Sequence, residues 1–217
     1  MSEKIPVGIL AATGSVGQRF IMHLVNHPWF EIAALTGSER TAGRPYGEGV
    51  NWLLEGDVPE SVANMIVQPT GPDLDVPIVF SALPSGDARE LEPQFARAGC
   101  IVLTNASPYR MDPFVPLLIP EVNHDHTGMI PYQQKAYGWD GYIVANANCS
   151  TTSIVLPLKI LHEAYGVESA VIVTMQAISG AGYPGVPSLD IMDNIIPHIG
   201  GEDGKLESEP RKLWRLC

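Results

Sequence analysis

Short apolar runs, broken by glycine, proline and polar turns, alternate along the first two thirds of the chain with stretches whose apolar residues recur at helical spacing. Ile5 to Ala11 predicts a first strand, Gln18 to Val25 a helix and Phe30 to Leu35 a second strand. Pro77 to Ala82 predicts another strand, Ala88 to Ala98 a helix, and Cys100 to Thr104 a strand again. Buried runs of this length between helices predict a parallel sheet covered by helices, an α/β fold. Gly43 to Asp57, rich in glycine and aromatics, reads as a loop excursion. Tyr142 to Ala145 predicts one more strand, and Ile154 to Leu161 the helix after it. The character then changes. Ser169 to Ala177 is a β-branched run suited to a strand of a second sheet, and a Gly/Pro-rich loop follows from Ser179 to Pro187. The domain boundary is expected near Cys149, with residues 1–150 in the first domain and 151–217 opening an incomplete α+β domain. Roughly 65 residues are thin for an independent core.

Composition narrows the classes. A hydrophobic content of 45% over 217 residues supports a packed core, and 17% charged residues is low for a disordered chain. The net charge of -11 disfavours nucleic acid and anionic membrane as partners, and an anionic small substrate would need local Arg or Lys clamps. The three cysteines, Cys100, Cys149 and Cys217, show no metal or disulfide spacing, so a reducing, cytoplasmic setting and no metal site are expected. No signal peptide is expected after Met1-Ser2-Glu3-Lys4, and no apolar run approaches a membrane span.

Cys149 stands where the predicted strand Tyr142 to Ala145 turns into a helix, flanked by Asn146, Asn148, Ser150, Thr151 and Thr152. A helix N-terminus offers free N–H groups and the positive end of a dipole, a setting that favours a reactive thiolate. The alternative is a buried structural cysteine, against which the polar flanks argue. Near the start, the first strand runs into Ala11-Ala12-Thr13-Gly14-Ser15-Val16-Gly17-Gln18, which opens a helix. Strand, glycine turn and helix present backbone N–H groups to a pyrophosphate, although an ordinary βα turn looks the same. At the tip of the second strand, Ser38, Arg40 and Thr41 suit a ribose 2′-phosphate better than a free 2′-OH, favouring NADP over NAD. Arg110, in Thr104-Asn105-Ala106-Ser107-Pro108-Tyr109-Arg110, could present a fork to an anion; the segment alone equally fits a solvated loop arginine.

Jointly these segments resemble aspartate-semialdehyde dehydrogenase, in the form found in fungi and archaea. The residues that carry the resemblance run from Ala12 to Phe20, Ser81 to Ser85, Asn105 to Asp112, Leu118 to Asn123, Asn146 to Thr152 and Gln176 to Gly182. Together they extend over nearly the whole chain, to about Leu213. The resemblance implies a Rossmann-like NADP domain in residues 1–150 and part of a catalytic and dimerisation domain in 151–217. It implies NADP-dependent reductive dephosphorylation of aspartyl phosphate to aspartate semialdehyde, on the route to lysine, methionine and threonine. Cys149 would be the nucleophile and Gln176 would position the acyl group. Arg110 and Lys212 would be the phosphate-binding pair, with Asn105 beside them in the substrate site, and Glu209 would hold the substrate amino group. Thr13, Gly14, Ser15, Val16, Ser38, Arg40, Thr41, Ser81, Leu83, Ser85, Ser179, Gly180 and Gly182 would contact NADP. A homodimer or homotetramer is implied as well.

The chain departs from that pattern in two places. The family's substrate-binding arginine and acid/base histidine lie downstream of the Glu-x-x-Lys segment, and this sequence stops five residues after Lys212. His124 and His126, expected in a polar loop, and His198 are no substitutes. A truncated chain of low activity is therefore expected. Ala11, in addition, stands where the tight turn takes glycine. The rival readings are N-acetyl-glutamyl-phosphate reductase, which carries a Gly-Cys-Tyr-Pro-like nucleophile segment, malonyl-CoA reductase, and a non-catalytic NADP-binding remnant.

Overall fold

The structure is a computed structural model that describes residues 3–182 and 184–214. The chain divides into two compact units, residues 1–116 with 127–146, and residues 117–126 with 147–217.

The first unit is an α/β sandwich built along the expected runs. Strand β1 (Ile5–Leu10) leads to helix α1 (Ser15–Leu24) and strand β2 (Phe30–Gly37). Two four-residue helices, α2 (Tyr46–Gly49) and α3 (Glu60–Ala63), and the short strand β3 (Gln68–Pro69) follow. The region expected as a bare loop thus holds a helical turn, because Tyr46 is a core residue that pulls the segment inward. Strand β4 (Ile78–Ser81), helix α4 (Ser85–Arg97) and strand β5 (Ile101–Thr104) come next. Of the seven strands among the described residues, β6 (Leu117–Leu118) and the short helix α5 (Pro120–Asn123) belong to the second unit. Helix α6 (Ile130–Tyr137) and strand β7 (Tyr142–Asn146) complete the first unit.

The six strands of this unit lie in the order β3-β2-β1-β4-β5-β7, and every neighbouring pair is parallel. After β1 the chain winds outward through β2 and β3, then crosses back to β4 on the other side of β1. That reversal opens the crevice in which α/β sheets bind ligands, at the carboxyl ends of the strands. Val7, Ile9, Ile21, Leu35, Tyr46 and Val67 fill the core beside it. Gly17 lets α1 approach β1: a Cβ there would fall 2.6 Å from Ala12 Cα.

In the second unit, helix α7 (Cys149–Tyr165) begins five residues before the apolar pattern that marked it. Helices α8 (Ser188–Ile191) and α9 (Glu202–Trp214) follow. The expected strand at Ser169 to Ala177 does not form; the segment is irregular, with Val171 97% and Met175 98% exposed. A strand needs a hydrogen-bonding partner for its N–H and C=O groups, and among the described residues of this unit none pairs with it. The core of this unit is small: α7 contributes Val155 and α9 Leu213, with Leu117, Ile119 and Val122 from the segment before α6.

Ala11 adopts φ 55°, the left-handed region. A Cβ there costs about 1–2 kcal/mol, while glycine adds some unfolded-state entropy. Ala11→Gly should therefore stabilise the first unit by about 1 kcal/mol, read as a rise in the urea midpoint with unchanged slope. No change, or a fall, would show that the turn carries no strain.

Candidate functional site

The turn after β1 has the chemistry a phosphate needs. Gly14 caps α1 in an extended conformation (φ -79°, ψ 166°) and supplies no side-chain acceptor to the first-turn N–H groups. The neighbouring carbonyls, whose dipoles would repel an anion, are bonded elsewhere. Tyr46 donates its hydroxyl to Ala12 O at 2.8 Å, and Gln18 Nε2 donates to Thr13 O at 3.0 Å. Gln18 is fully buried and also ties down the 51–53 segment, donating to Asn51 O and accepting from Leu53 N–H. Burial pushes the Tyr46 phenol well above its ordinary value, so it stays a donor. These features fit a dinucleotide phosphate bound over Thr13, Gly14, Ser15 and Val16.

Ser38, Arg40 and Thr41 follow β2 directly, on the strand beside β1. Ser38 and Arg40 are exposed, and Thr41 Oγ1 donates to Ser38 O at 3.0 Å, shaping a compact turn. Beyond β4, Ser81 and Leu83 are buried and Ser85 is exposed. Ser85 and Ser107 share a hydrogen bond of 3.0 Å between their hydroxyls. Beyond β5, Arg110 donates from its guanidinium to Asn105 O at 2.7 Å, and Asn146 donates to Asn105 Oδ1 at 2.8 Å. Arg110 is thus half-buried and held against its own strand end rather than loose in solvent. The structure brings the predicted residues after β1, β2, β4 and β5 to one edge of one sheet.

The second predicted cluster lies in the other unit. Cys149 is the first residue of α7, and its side chain is exposed. The turn beneath it is locked. Asn148 caps the helix, its Oδ1 accepting from the N–H groups of Ser150 (2.9 Å) and Thr151 (3.3 Å). Glu209, on α9 and almost fully buried, accepts the Asn148 N–H through Oε2 at 2.6 Å. Glu202 accepts from Ser150 Oγ (2.8 Å), Gln176 Nε2 (3.1 Å) and Asn148 Nδ2 (3.3 Å), with the Lys205 ammonium 3.6 Å away. Gln176 also donates to Ser150 Oγ at 3.1 Å. Cys149, Gln176 and Glu209 therefore gather at one helix N-terminus. Lys212 is half-buried, one turn along α9 from Glu209. Ser179, Gly180 and Gly182 make local bonds around the 3₁₀ turn at Ile178–Ala181.

Sequence reasoning missed Glu202. A glutamate in a polar helix reads as solvated, and only the fold reveals that its carboxylate collects three donors. Asn148 carried a readable signal, a capping residue ahead of a helix. His126 is buried, not in a polar loop, and hydrogen-bonds Asn123 at 2.8 Å, while His198 is exposed near Asp203. Among the described residues no group of three His, Cys, Asp or Glu could hold a metal ion, and no helix is long and apolar enough to cross a membrane.

Residues 6–130 match the family model for the semialdehyde dehydrogenase NAD-binding domain. The chain belongs to the semialdehyde dehydrogenase family. Residues 158–217 match that family's dimerisation domain. Among curated relatives, the aspartate-semialdehyde dehydrogenase of Archaeoglobus fulgidus is 54% identical over 95% of this chain, and that of Methanothermobacter thermautotrophicus 53% identical over 96%. Each match spans 60% of the relative's length. The crystal structure of the Candida albicans aspartate-semialdehyde dehydrogenase with NADP superposes with a TM-score of 0.83 at 38% identity, over 97% of this chain and 60% of that one.

Burial pushes the Glu202 carboxyl up, but hydrogen bonds from Ser150 and Gln176, the Lys205 charge and Asn148 outweigh it and hold it below the usual value. A group held low stabilises the fold above its unfolded value and loses that contribution as pH falls through its own lowered value. Glu202→Gln should therefore lower the urea midpoint at neutral pH, with the gap from wild type closing as pH drops below the ordinary carboxylate range. A gap independent of pH would contradict this.

Proposed function

We propose that this semialdehyde dehydrogenase chain carries the nucleophile and cofactor sites for interconverting aspartate semialdehyde and aspartyl phosphate, with NADP as cofactor. The observation that carries the reading is the exposed Cys149 at the N-terminus of α7, with Gln176 hydrogen-bonded to the next residue, Ser150. The very similar relatives from Archaeoglobus and Methanothermobacter bear the aspartate-semialdehyde dehydrogenase name, and the Candida relative was solved with NADP.

In the oxidative direction the Cys149 thiolate forms a C–S bond to the aldehyde carbon, and the carbonyl π electrons move to oxygen, giving a thiohemiacetal. NADP would be held by Thr13 to Val16, by Ser38, Arg40 and Thr41, by Ser81, Leu83 and Ser85, and by Ser179, Gly180 and Gly182; it supplies the oxidant, accepting hydride. The product on Cys149 is a thioester. A phosphate oxygen then attacks its carbonyl carbon, the C–S bond breaks, and the electron pair returns to Cys149 as thiolate. Splitting the reaction at a covalent intermediate divides one hard step into two. Arg110 and Lys212 are the proposed phosphate ligands, with Asn105 beside them in the substrate site. Glu209 is assigned to the substrate amino group, a task it would share with holding the Asn148 N–H. Gln176, oriented by Glu202, would donate to the acyl oxygen.

Residues 1–150 are proposed as the NADP domain and 151–217 as part of the catalytic and dimerisation domain, the latter mediating a homodimer or homotetramer. The free thiols Cys100 and Cys149 support a cytoplasmic setting.

Two outcomes test the reading. Iodoacetamide should modify Cys149, and aspartate semialdehyde should slow that modification by occupying the thiol, with Cys100 indifferent. Equal rates with and without the aldehyde would count against it. Arg40→Ala should weaken NADPH binding about 10–100-fold, the scale of losing one charge-assisted phosphate contact, with NADH binding unchanged. Parallel losses for both nucleotides would remove the 2′-phosphate assignment.

A further inference from the structure

Strands β4 and β5 end side by side, with Ser81 opposite Thr104. Both hydroxyls are buried, and both donate to the same atom, Oε1 of Glu92 on α4, at 2.7 Å and 2.5 Å. Each hydroxyl in turn accepts a backbone N–H from the segment leaving its strand. Ala106 N–H donates to Thr104 Oγ1 at 2.9 Å, and Leu83 N–H reaches Ser81 Oγ at 3.5 Å. A single oxygen thereby gathers the starts of two segments, 82–85 and 105–110. Those segments are also joined by Asn105 N–H to Ser81 O (3.1 Å) and by the Ser85–Ser107 hydroxyl pair.

Glu92 is an unusual choice for this position. It is fully buried, on a helix face otherwise lined by Ala88, Phe95 and Ala96, and it is the only buried charged residue among the described residues of the first unit. Burial drives its carboxyl up, and the bonds from Thr104 and Ser81 only partly offset that. Its second oxygen, Oε2, is buried with no hydrogen-bond partner among the described residues. Leucine would fill the space without these penalties, so what the carboxyl contributes is the shared acceptor. Tyr109, on the second of the two segments, donates its hydroxyl to Arg89 O on the same helix at 2.7 Å, which adds a second tie between α4 and that segment.

We infer that Glu92 is a positioning residue that fixes the 82–85 and 105–110 segments against each other at the carboxyl edge of the sheet. On the functional reading proposed above, it aligns the Leu83 and Ser85 cofactor contacts with the substrate-site residues Asn105 and Arg110 while touching neither ligand itself.

The test compares wild type with Glu92→Gln, Glu92→Leu and Thr104→Val, using amide hydrogen exchange of the ligand-free chain and NADPH titration. Glu92→Leu should speed exchange at Leu83 and Ala106 about tenfold, the order expected for one lost hydrogen bond, leaving Val79 and Val102 protected. Glu92→Gln, which keeps an acceptor oxygen, should restore both amides. Thr104→Val, which cuts one link and keeps the carboxyl, should free Ala106 and leave Leu83 protected; it decides the matter should the leucine variant not fold. NADPH binding should weaken about tenfold in Glu92→Leu and recover in Glu92→Gln. Unchanged exchange at Leu83 and Ala106, or an equal rise at Val79 and Val102, overturns the inference. Wild type that binds no NADPH but shows the expected exchange pattern supports the positioning role and overturns the functional reading instead.

Discussion

The chemistry of the second unit depends on how the first turn of α7 satisfies its backbone. A helix begins with N–H groups that have no intrahelical acceptor, and leaving them bare beside Cys149 would make the turn fray. Asn148 takes two of them through one carboxamide oxygen, and Glu209 takes the Asn148 N–H. Glu202 holds the side chains of Ser150, Asn148 and Gln176 at once. The result is an exposed cysteine between residues held by hydrogen bonds, Asn148 on one side and Ser150 and Thr151 on the other. Rigidity below and exposure above are what a thiol nucleophile requires.

The proposed function sets the first unit a complementary problem, holding anions on a chain of net charge -11. On that reading the donors are mostly backbone rather than many cations. The turn after β1 offers N–H groups, and its carbonyls are bonded by Tyr46 and Gln18. Positive side chains appear singly, Arg40 after β2 and Arg110 after β5, each at a strand end. Concentrating the donors at the carboxyl edge of one sheet would give local affinity against an unfavourable overall charge.

Much of this was readable from sequence. Strands β1, β2, β4, β5 and β7 are largely buried, so they appear as mainly apolar runs with glycine or polar punctuation, and their residues fall within a position or two of the expected bounds. The glycine turn after β1 and the cysteine turn after β7 were legible because they follow strands directly. Three features were not. The run from Ser169 to Ala177 has strand composition, yet a strand exists only with a partner, which composition does not encode. Helix α2 was hidden in a glycine-rich loop because its formation rests on the burial of one tyrosine. Glu92 and Glu202 look like any solvated helical glutamate; only tertiary contacts bring Ser81 and Thr104 to the one, and Ser150 and Gln176 to the other.

The central claim is that Cys149 carries the acyl group. Intact-mass and peptide analysis after mixing the chain with aspartate semialdehyde and NADP, phosphate omitted, reads this directly. The account predicts an aspartyl adduct on the Cys149 peptide that needs NADP, discharges on adding phosphate and is absent from Cys149→Ser. An unmodified Cys149, or an adduct that forms equally on Cys149→Ser, would contradict it.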